Sequence, residues 1–214
     1  ECGWRGAVGC LYKNSGETER AICLMNTLLG NWNQEGGALL CPSVTVGKLE
    51  DPVFAPLPAA ALPPDGTREY PLSLPVMGVP AYAVQLCKEG KIKGAVSCAN
   101  NWAAGYQNPA YIREALENLD LLVHIDIVWT EMCKEADYVL PDTTYLERLE
   151  LPSPFPAFPP AIAVRDAVIE KVHANSRPVS QIFTELAQAC GLGEYFQFTF
   201  EELCEAQLNT IGLT

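Results

Sequence analysis

No two of the nine cysteines in this 214-residue chain stand in a CxxC pair, and only two histidines accompany them. Zinc sites and iron–sulfur clusters draw ligands from close pairs, so neither is expected within this sequence. The odd count also argues against a complete disulfide framework. Most of the cysteines are expected as small buried hydrophobes, a usage that suits a reduced or anaerobic setting. Basic residues are scarce: 14 Lys+Arg against 26 Asp+Glu give a net charge of −12. Without a Lys/Arg cluster to release counterions, the chain is expected to bind no nucleic acid and to make no direct membrane contact. No run of about 18 apolar residues is present, so no membrane-spanning helix is expected. GxGxxG and GxxxxGK[ST] are both absent, which excludes an ordinary Rossmann dinucleotide site and a P-loop. The chain opens on Glu1, with no Met and no basic, hydrophobic, small-residue leader. A removed leader or a cut from a longer protein is the expectation.

What is present describes a folded protein. The composition is 49% hydrophobic and 19% charged, with mean hydropathy +0.06. That excludes a disordered tail, and the length suffices for a core and one or two domains. Ile22, Met25 and Leu29 share one face of a helix predicted over 17–30, with Leu28 beside it and Gly30 to end it. Gly36-Gly37 then marks a tight backbone passage. Nine prolines between 42 and 80 leave no room for regular helix or central strand there. From residue 80 the pattern changes. Helices are predicted over 80–90, 109–119 and 130–136, and strands over 92–98, 121–128 and 138–140. Strand–helix–strand–helix–strand implies a parallel sheet flanked by helices, an α/β fold. Five prolines and two phenylalanines crowd 151–160. Helices over 179–190 and 199–209 close the chain.

In an open parallel sheet, ligands bind beyond the carboxyl ends of the strands. That rule selects Cys98-Ala99-Asn100-Asn101 and Gly105 to Asn108-Pro109, then Asp126 with Thr130-Glu131, then Pro141-Asp142-Thr143-Thr144. These loops offer carboxylates, amides and hydroxyls but no basic residue. A carboxylate accepts from the ring N–H and exocyclic amine of guanine, and Asn both donates and accepts. The site therefore suits a nucleotide base rather than phosphates. Taken singly, Asn and Asp after strands also serve as helix N-caps.

The residues Asn108-Pro109, Leu119-Asp120-Leu121-Leu122-Val123, Ile125-Asp126, Thr130-Glu131, Ala136-Asp137-Tyr138-Val139-Leu140-Pro141 and Tyr145-Leu146-Glu147-Arg148 together resemble a signature of the molybdopterin oxidoreductases. These are the bis-molybdopterin guanine dinucleotide enzymes of the dimethyl-sulfoxide-reductase superfamily. Pro160 to Arg165 and Ser176-Arg177-Pro178 look most like the thiosulfate/polysulfide reductase branch. Upstream, Gly3-Trp4, Tyr12, Asn14-Ser15, Arg20-Ala21-Ile22, Leu28 to Trp32 and Gly36-Gly37 match in the same order. The resemblance covers essentially the whole chain, and the run from Asp126 to Arg148 is its most specific part.

The resemblance implies part of a longer catalytic subunit. Residues 1–80 would end an upstream cofactor-binding domain, and 81–214 would form the α/β guanosine-binding domain. It implies molybdopterin guanine dinucleotide with Mo or W, and a [4Fe–4S] cluster in the missing N-terminal part. It also implies the missing domains, an iron–sulfur electron-transfer subunit and a membrane anchor subunit as partners, and a periplasmic or outer-face location. Asn100, Asn108, Asp126, Thr130 and Asp142 carry over as cofactor-binding candidates, and no metal ligand carries over. The stretch between Asn100-Asn101 and Asn108-Pro109 is longer than in many members, so the equivalent Asn stays open. Arg5 is the substrate-side candidate, because a guanidinium can hold a sulfur oxyanion or phosphate; a surface Arg is the alternative. Lys13 and Arg20 are considered for pyrophosphate. His124, alternating with core residues, reads as a structural imidazole, and Trp4, Tyr12 and Trp32 as core. The reaction implied is reduction of thiosulfate, polysulfide or a related oxyanion. The alternatives are arsenate, tetrathionate or selenate reduction, a non-redox hydratase, or a stand-alone nucleotide-binding or assembly module.

Overall fold

The computed structural model describes residues 15–50, 53–54, 69, 79–106 and 108–213. Arg5, Trp4, Tyr12 and Lys13 lie outside these. Contacts divide the chain into two units: residues 1–46 with 152–163, and residues 47–151 with 164–214. Most of 51–78 lies outside the described residues.

In the smaller unit, α1 (Ser15–Leu28) is followed by Gly30 at φ 66, the left-handed step that glycine adopts without strain. The loop after it is tight. A Cβ at Gly37 would lie 2.2 Å from the Asn31 carbonyl oxygen, and Ala38 donates its N–H to that same oxygen at 2.9 Å. The Gly36-Gly37 passage is therefore a true close approach. Of α1 only Asn26 is buried. Met25 and Leu29 of the expected apolar face are 42% and 63% exposed, and Leu28 is 84% exposed. Arg20 pairs with Glu17 at 2.7 Å, with both side chains mostly in solvent.

The larger unit is built around a three-stranded parallel sheet. Helix α2 (Pro80–Lys88) starts with Pro at its first turn, where no N–H is missed. It ends in a Schellman pattern: Gly90 (φ 67) donates to Cys87 and Lys91 to Leu86, each at 2.9 Å. Next come β1 (Gly94–Cys98), a one-turn α3 (Trp102–Gly105), α4 (Pro109–Leu116), β2 (Leu121–Asp126), α5 (Glu131–Glu135) and β3 (Tyr138–Pro141). β2 is central. Val96 pairs with Val123 and Cys98 with Ile125 on one side, and Asp126 pairs with Pro141 on the other. Side chains alternate across a strand, so Leu122, His124 and Asp126 share a face. On it, Leu122 joins a buried core of Val84, Cys87, Ala103, Ile112, Ala115, Leu116 and Met132. The three helices and three strands expected here are present, with ends within a few residues.

Beyond β3 the chain forms a two-stranded ribbon, β4 (Glu150–Phe155) with β5 (Ala161–Arg165). The sequence assigns no element to the proline-rich stretch 151–160. α6 (Val179–Ala189), a 3-10 turn at Gly193–Tyr195 and α7 (Phe200–Asn209) follow. α7 opens with a capping box. Thr199 Oγ1 accepts from the Glu202 N–H at 3.1 Å, and Glu202 accepts from the Thr199 N–H at 2.8 Å.

Candidate functional site

The register brings the carboxyl ends of β1, β2 and β3 to one edge, so the loops after Cys98, Asp126 and Pro141 leave the sheet together. Asp126 ends β2. One carboxylate oxygen, Oδ1, accepts the Ile127 N–H at 2.7 Å; the other, Oδ2, lies 3.3 Å from His124 Nε2. The side chain keeps 11% exposure. Thr130 sits at the N-terminus of α5, with its hydroxyl 3.3 Å from the same His124 nitrogen. The backbone N–H of Asp142 donates to the Asp126 carbonyl at 3.0 Å, which places Asp142 beside it.

The Asp142 carboxylate is engaged within the protein. It accepts the Thr143 N–H at 2.7 Å and the Arg148 guanidinium. Arg148 also donates to Glu150 Oε1 at 2.5 Å and to the Thr143 carbonyl at 2.9 Å. Arg148 is thus a basic residue at this edge, held by two carboxylates. Burial first, then the Asp142 charge, pushes the Cys98 thiol above its usual range, so it stays protonated and weakly nucleophilic at neutral pH.

The two asparagine candidates part company. Asn100 is exposed on the loop leaving β1. Asn108 adopts φ 58 as the N-cap of α4 and accepts the Tyr111 N–H at 3.3 Å, the helix-capping role. Asn101 lies in the loop that the strand-end rule selects but is not among the carried-over candidates. Its amide Nδ2 donates to Glu131 Oε2 at 2.7 Å, bridging the loops after β1 and β2, and this hydrogen bond leads the causes that lower the Glu131 pKa. Its adjacency to Asn100 was the available signal.

Among the described residues, Asn101 Oδ1, Trp102 Nε1, His124 Nδ1 and Thr143 Oγ1 are buried polar atoms without a hydrogen-bond partner. Buried polar groups are normally satisfied, so these atoms hold unspent hydrogen-bonding capacity. The set is rich in acceptors, and its described cation is neutralised by Asp142 and Glu150. That chemistry fits the donor edge of a guanine base. Among the described residues no group of three His, Cys, Asp or Glu side chains could hold a metal ion.

A three-stranded parallel sheet flanked by helices, with the loops after its strands leaving at one edge, defines an α/β domain of the kind whose ligands bind beyond the strand ends. The chain belongs to the molybdopterin oxidoreductase family, whose profile matches residues 10–189. It is 30% identical over 195 residues to the thiosulfate reductase molybdopterin-containing subunit PhsA of Salmonella typhimurium, covering 84% of this chain and 26% of that one. It is 33% identical over 145 residues to the assimilatory nitrate reductase catalytic subunit of Bacillus subtilis, covering 65% of this chain and 20% of that one. Among solved structures it is similar to acetylene hydratase from Pelobacter acetylenicus: TM-score 0.55, 26% identity, 64% of this chain and 19% of that one. The chain thus spans about a quarter of the length of these curated relatives. Its family implies a molybdopterin cofactor.

Proposed function

We propose that this chain is part of the catalytic subunit of a molybdopterin-dependent oxidoreductase, and that its strand-end site anchors one guanosine end of molybdopterin guanine dinucleotide. The observation that carries this reading is the convergence of Asp126, Thr130 and Asp142 at one edge, beside buried polar atoms without protein partners. Asp126 takes the base N–H groups, Thr130 adds a hydroxyl, and Asp142 holds Arg148 against the loop. Asn100 and Asn108 line the approach from β1 and α4. When bound, the molybdenum or tungsten and its dithiolene ligands carry the electrons and the transferred oxygen or sulfur atom, while the protein orients and shields.

The substrate is thiosulfate, polysulfide or a related oxyanion. This follows the likeness to PhsA, which covers most of this chain. Arg5 is the substrate-side cation in this reading. Residues 1–80 close one cofactor-binding domain and 81–214 form the guanosine-binding one, with a [4Fe–4S] cluster in a preceding segment. An iron–sulfur subunit and a membrane anchor are the partners, at the periplasmic face. A non-redox hydratase is the second reading, favoured by the likeness to acetylene hydratase.

The test is Asp126→Ala in the cofactor-loaded enzyme. A hydrogen bond to a charged group contributes about 1.5–3 kcal/mol, so molybdenum and releasable GMP per protein should fall about tenfold or more while the fold persists. Full cofactor content would refute the assignment. Turnover with thiosulfate, nitrate and acetylene separates the reductase readings from the hydratase.

A further inference from the structure

Resting on the guanosine reading above, we propose that His124 is a positioning residue of the base site, setting both its shape and its hydrogen-bonding polarity. His124 lies in the central strand and is 0% exposed. Burying an imidazole there is costly unless its nitrogens are used, and a Leu or Val would fill a strand position without that cost. One nitrogen is used twice. His124 Nε2 lies 3.3 Å from Asp126 Oδ2 and 3.3 Å from Thr130 Oγ1. Asp126 and Thr130 are the two ends of a loop whose tip, Ile127-Val128-Trp129, is 52%, 61% and 70% exposed. A single ring atom therefore pins both ends of a solvent-exposed loop.

The bonding partners decide where the proton sits. A carboxylate oxygen can only accept, so Nε2 carries a hydrogen. Nδ1 has no partner among the described residues. Thr130 Oγ1 then shares the same N–H as an acceptor and keeps its own hydroxyl hydrogen, for which Cys133 Sγ at 3.6 Å is the partner within the protein and a base acceptor is the partner in the loaded site. Cys133 keeps Thr130 in place: its Sγ accepts the Thr130 N–H at 3.4 Å and lies 3.6 Å from Oγ1. The same Sγ contacts the Val128 carbonyl at 3.8 Å. The result is a fixed pair, an accepting carboxylate at Asp126 and a donating hydroxyl at Thr130. Guanine offers the complement, N–H donors beside a carbonyl acceptor. Adenine offers the reverse at the matching positions.

Three variants of the cofactor-loaded enzyme test this, read by releasable GMP, molybdenum content and melting temperature. His124→Gln keeps a donor near the Nε2 position; His124→Leu keeps apolar packing and removes the donor. The expected result is that Asp126→Ala and His124→Leu lose GMP about tenfold or more, while His124→Gln retains most of it without melting higher than His124→Leu. Full GMP in His124→Leu, or equal losses in Gln and Leu that track melting temperature, would reduce His124 to a packing residue and overturn the proposal. Full GMP in Asp126→Ala would instead remove the guanosine reading itself. Long-range nitrogen–proton NMR on the unsubstituted 214-residue chain provides a readout independent of folding in any variant. It should show a proton on Nε2, and a bare Nε2 overturns the assignment.

Discussion

The Glu147 carboxylate accepts the backbone N–H of Val172 at 2.6 Å, across 25 residues of sequence. Its other oxygen takes the N–H and hydroxyl of Thr144 at 2.8 and 2.7 Å. Together these contacts, the Val172 N–H first, hold the Glu147 pKa down to about 2. A depressed pKa contributes stability that is complete above the unfolded value of about 4.3 and is lost as pH falls through the folded value. The wild-type advantage over Glu147→Gln should be constant near neutral pH, shrink below about pH 4.3 and vanish towards about pH 2. Denaturant melts across that window check it; a difference that persists at the acid end would show that the charge is not what matters.

Leu122 is 2% exposed at the centre of the core, whereas Val96 on the neighbouring strand is 51% exposed. Truncating a buried Leu removes transfer energy and leaves a cavity, so Leu122→Ala should cost about 2–5 kcal/mol. Val96→Ala should cost less than about 1 kcal/mol, since little area leaves water. Urea titrations with an unchanged slope measure both. Equal losses would mean that β1 is buried in solution by something beyond the contacts described.

Ala99 follows β1 at φ 49, a left-handed conformation that penalises any side chain with a Cβ by roughly 1–2 kcal/mol. Its N–H is fixed to the Ile125 carbonyl at 2.9 Å, so the strain is held by the sheet at the start of the loop that leaves β1. Strain stored next to a ligand site is a recurrent device. Ala99→Gly should raise stability by about 0.5–1 kcal/mol, the relief being partly offset by the entropy of an added glycine. A lower melting temperature in Ala99→Gly would show that the turn is not strained.

How much of this was legible beforehand depends on the reach of each interaction. Pro80, Gly90, Pro109 and the alternation from Leu121 to Asp126 are local signals, and they located α2, α4 and β2. The β4–β5 ribbon was not visible, because Pro152, Pro154 and Pro156 read as breakers, yet an edge ribbon tolerates missing donors. α3 is a single turn and carries too little periodicity to detect. At the site, the shared face of His124 and Asp126 follows from strand alternation, but the return of Thr130 to the same nitrogen depends on the loop between them. Asp142 was legible as a strand-end carboxylate; its capture by Arg148 was not.

Guanine nucleotide alone should bind this chain weakly. A base edge supplies a few hydrogen bonds, while the phosphates find few cations here, since Arg148 is already paired with Asp142 and Glu150. Calorimetry with GDP should give at most a signal in the high micromolar to millimolar range, about −4 to −6 kcal/mol. Nanomolar binding would favour a stand-alone nucleotide-binding module over a domain that shares its cofactor with others.

α1 presents an apolar face that little in the described residues covers. Leu24, Met25, Leu28 and Leu29 are 55%, 42%, 84% and 63% exposed, and only Asn26 is buried. Helical stability in proteins comes mainly from packing an apolar face, and a helix of this length is marginal on propensity alone. Local opening should therefore cost little, whereas β2, with Leu122, His124 and Ile125 at 2%, 0% and 0% exposure, should open only with the whole unit. Hydrogen exchange on the 214-residue chain should show α1 amides exchanging by orders of magnitude faster than those of β2. Leu28→Lys should change stability by no more than about 0.5 kcal/mol, because no described contact is lost. Protection of α1 equal to that of β2 would mean that Leu24, Met25, Leu28 and Leu29 are covered in solution, and α1 would then be an integral part of a folded core.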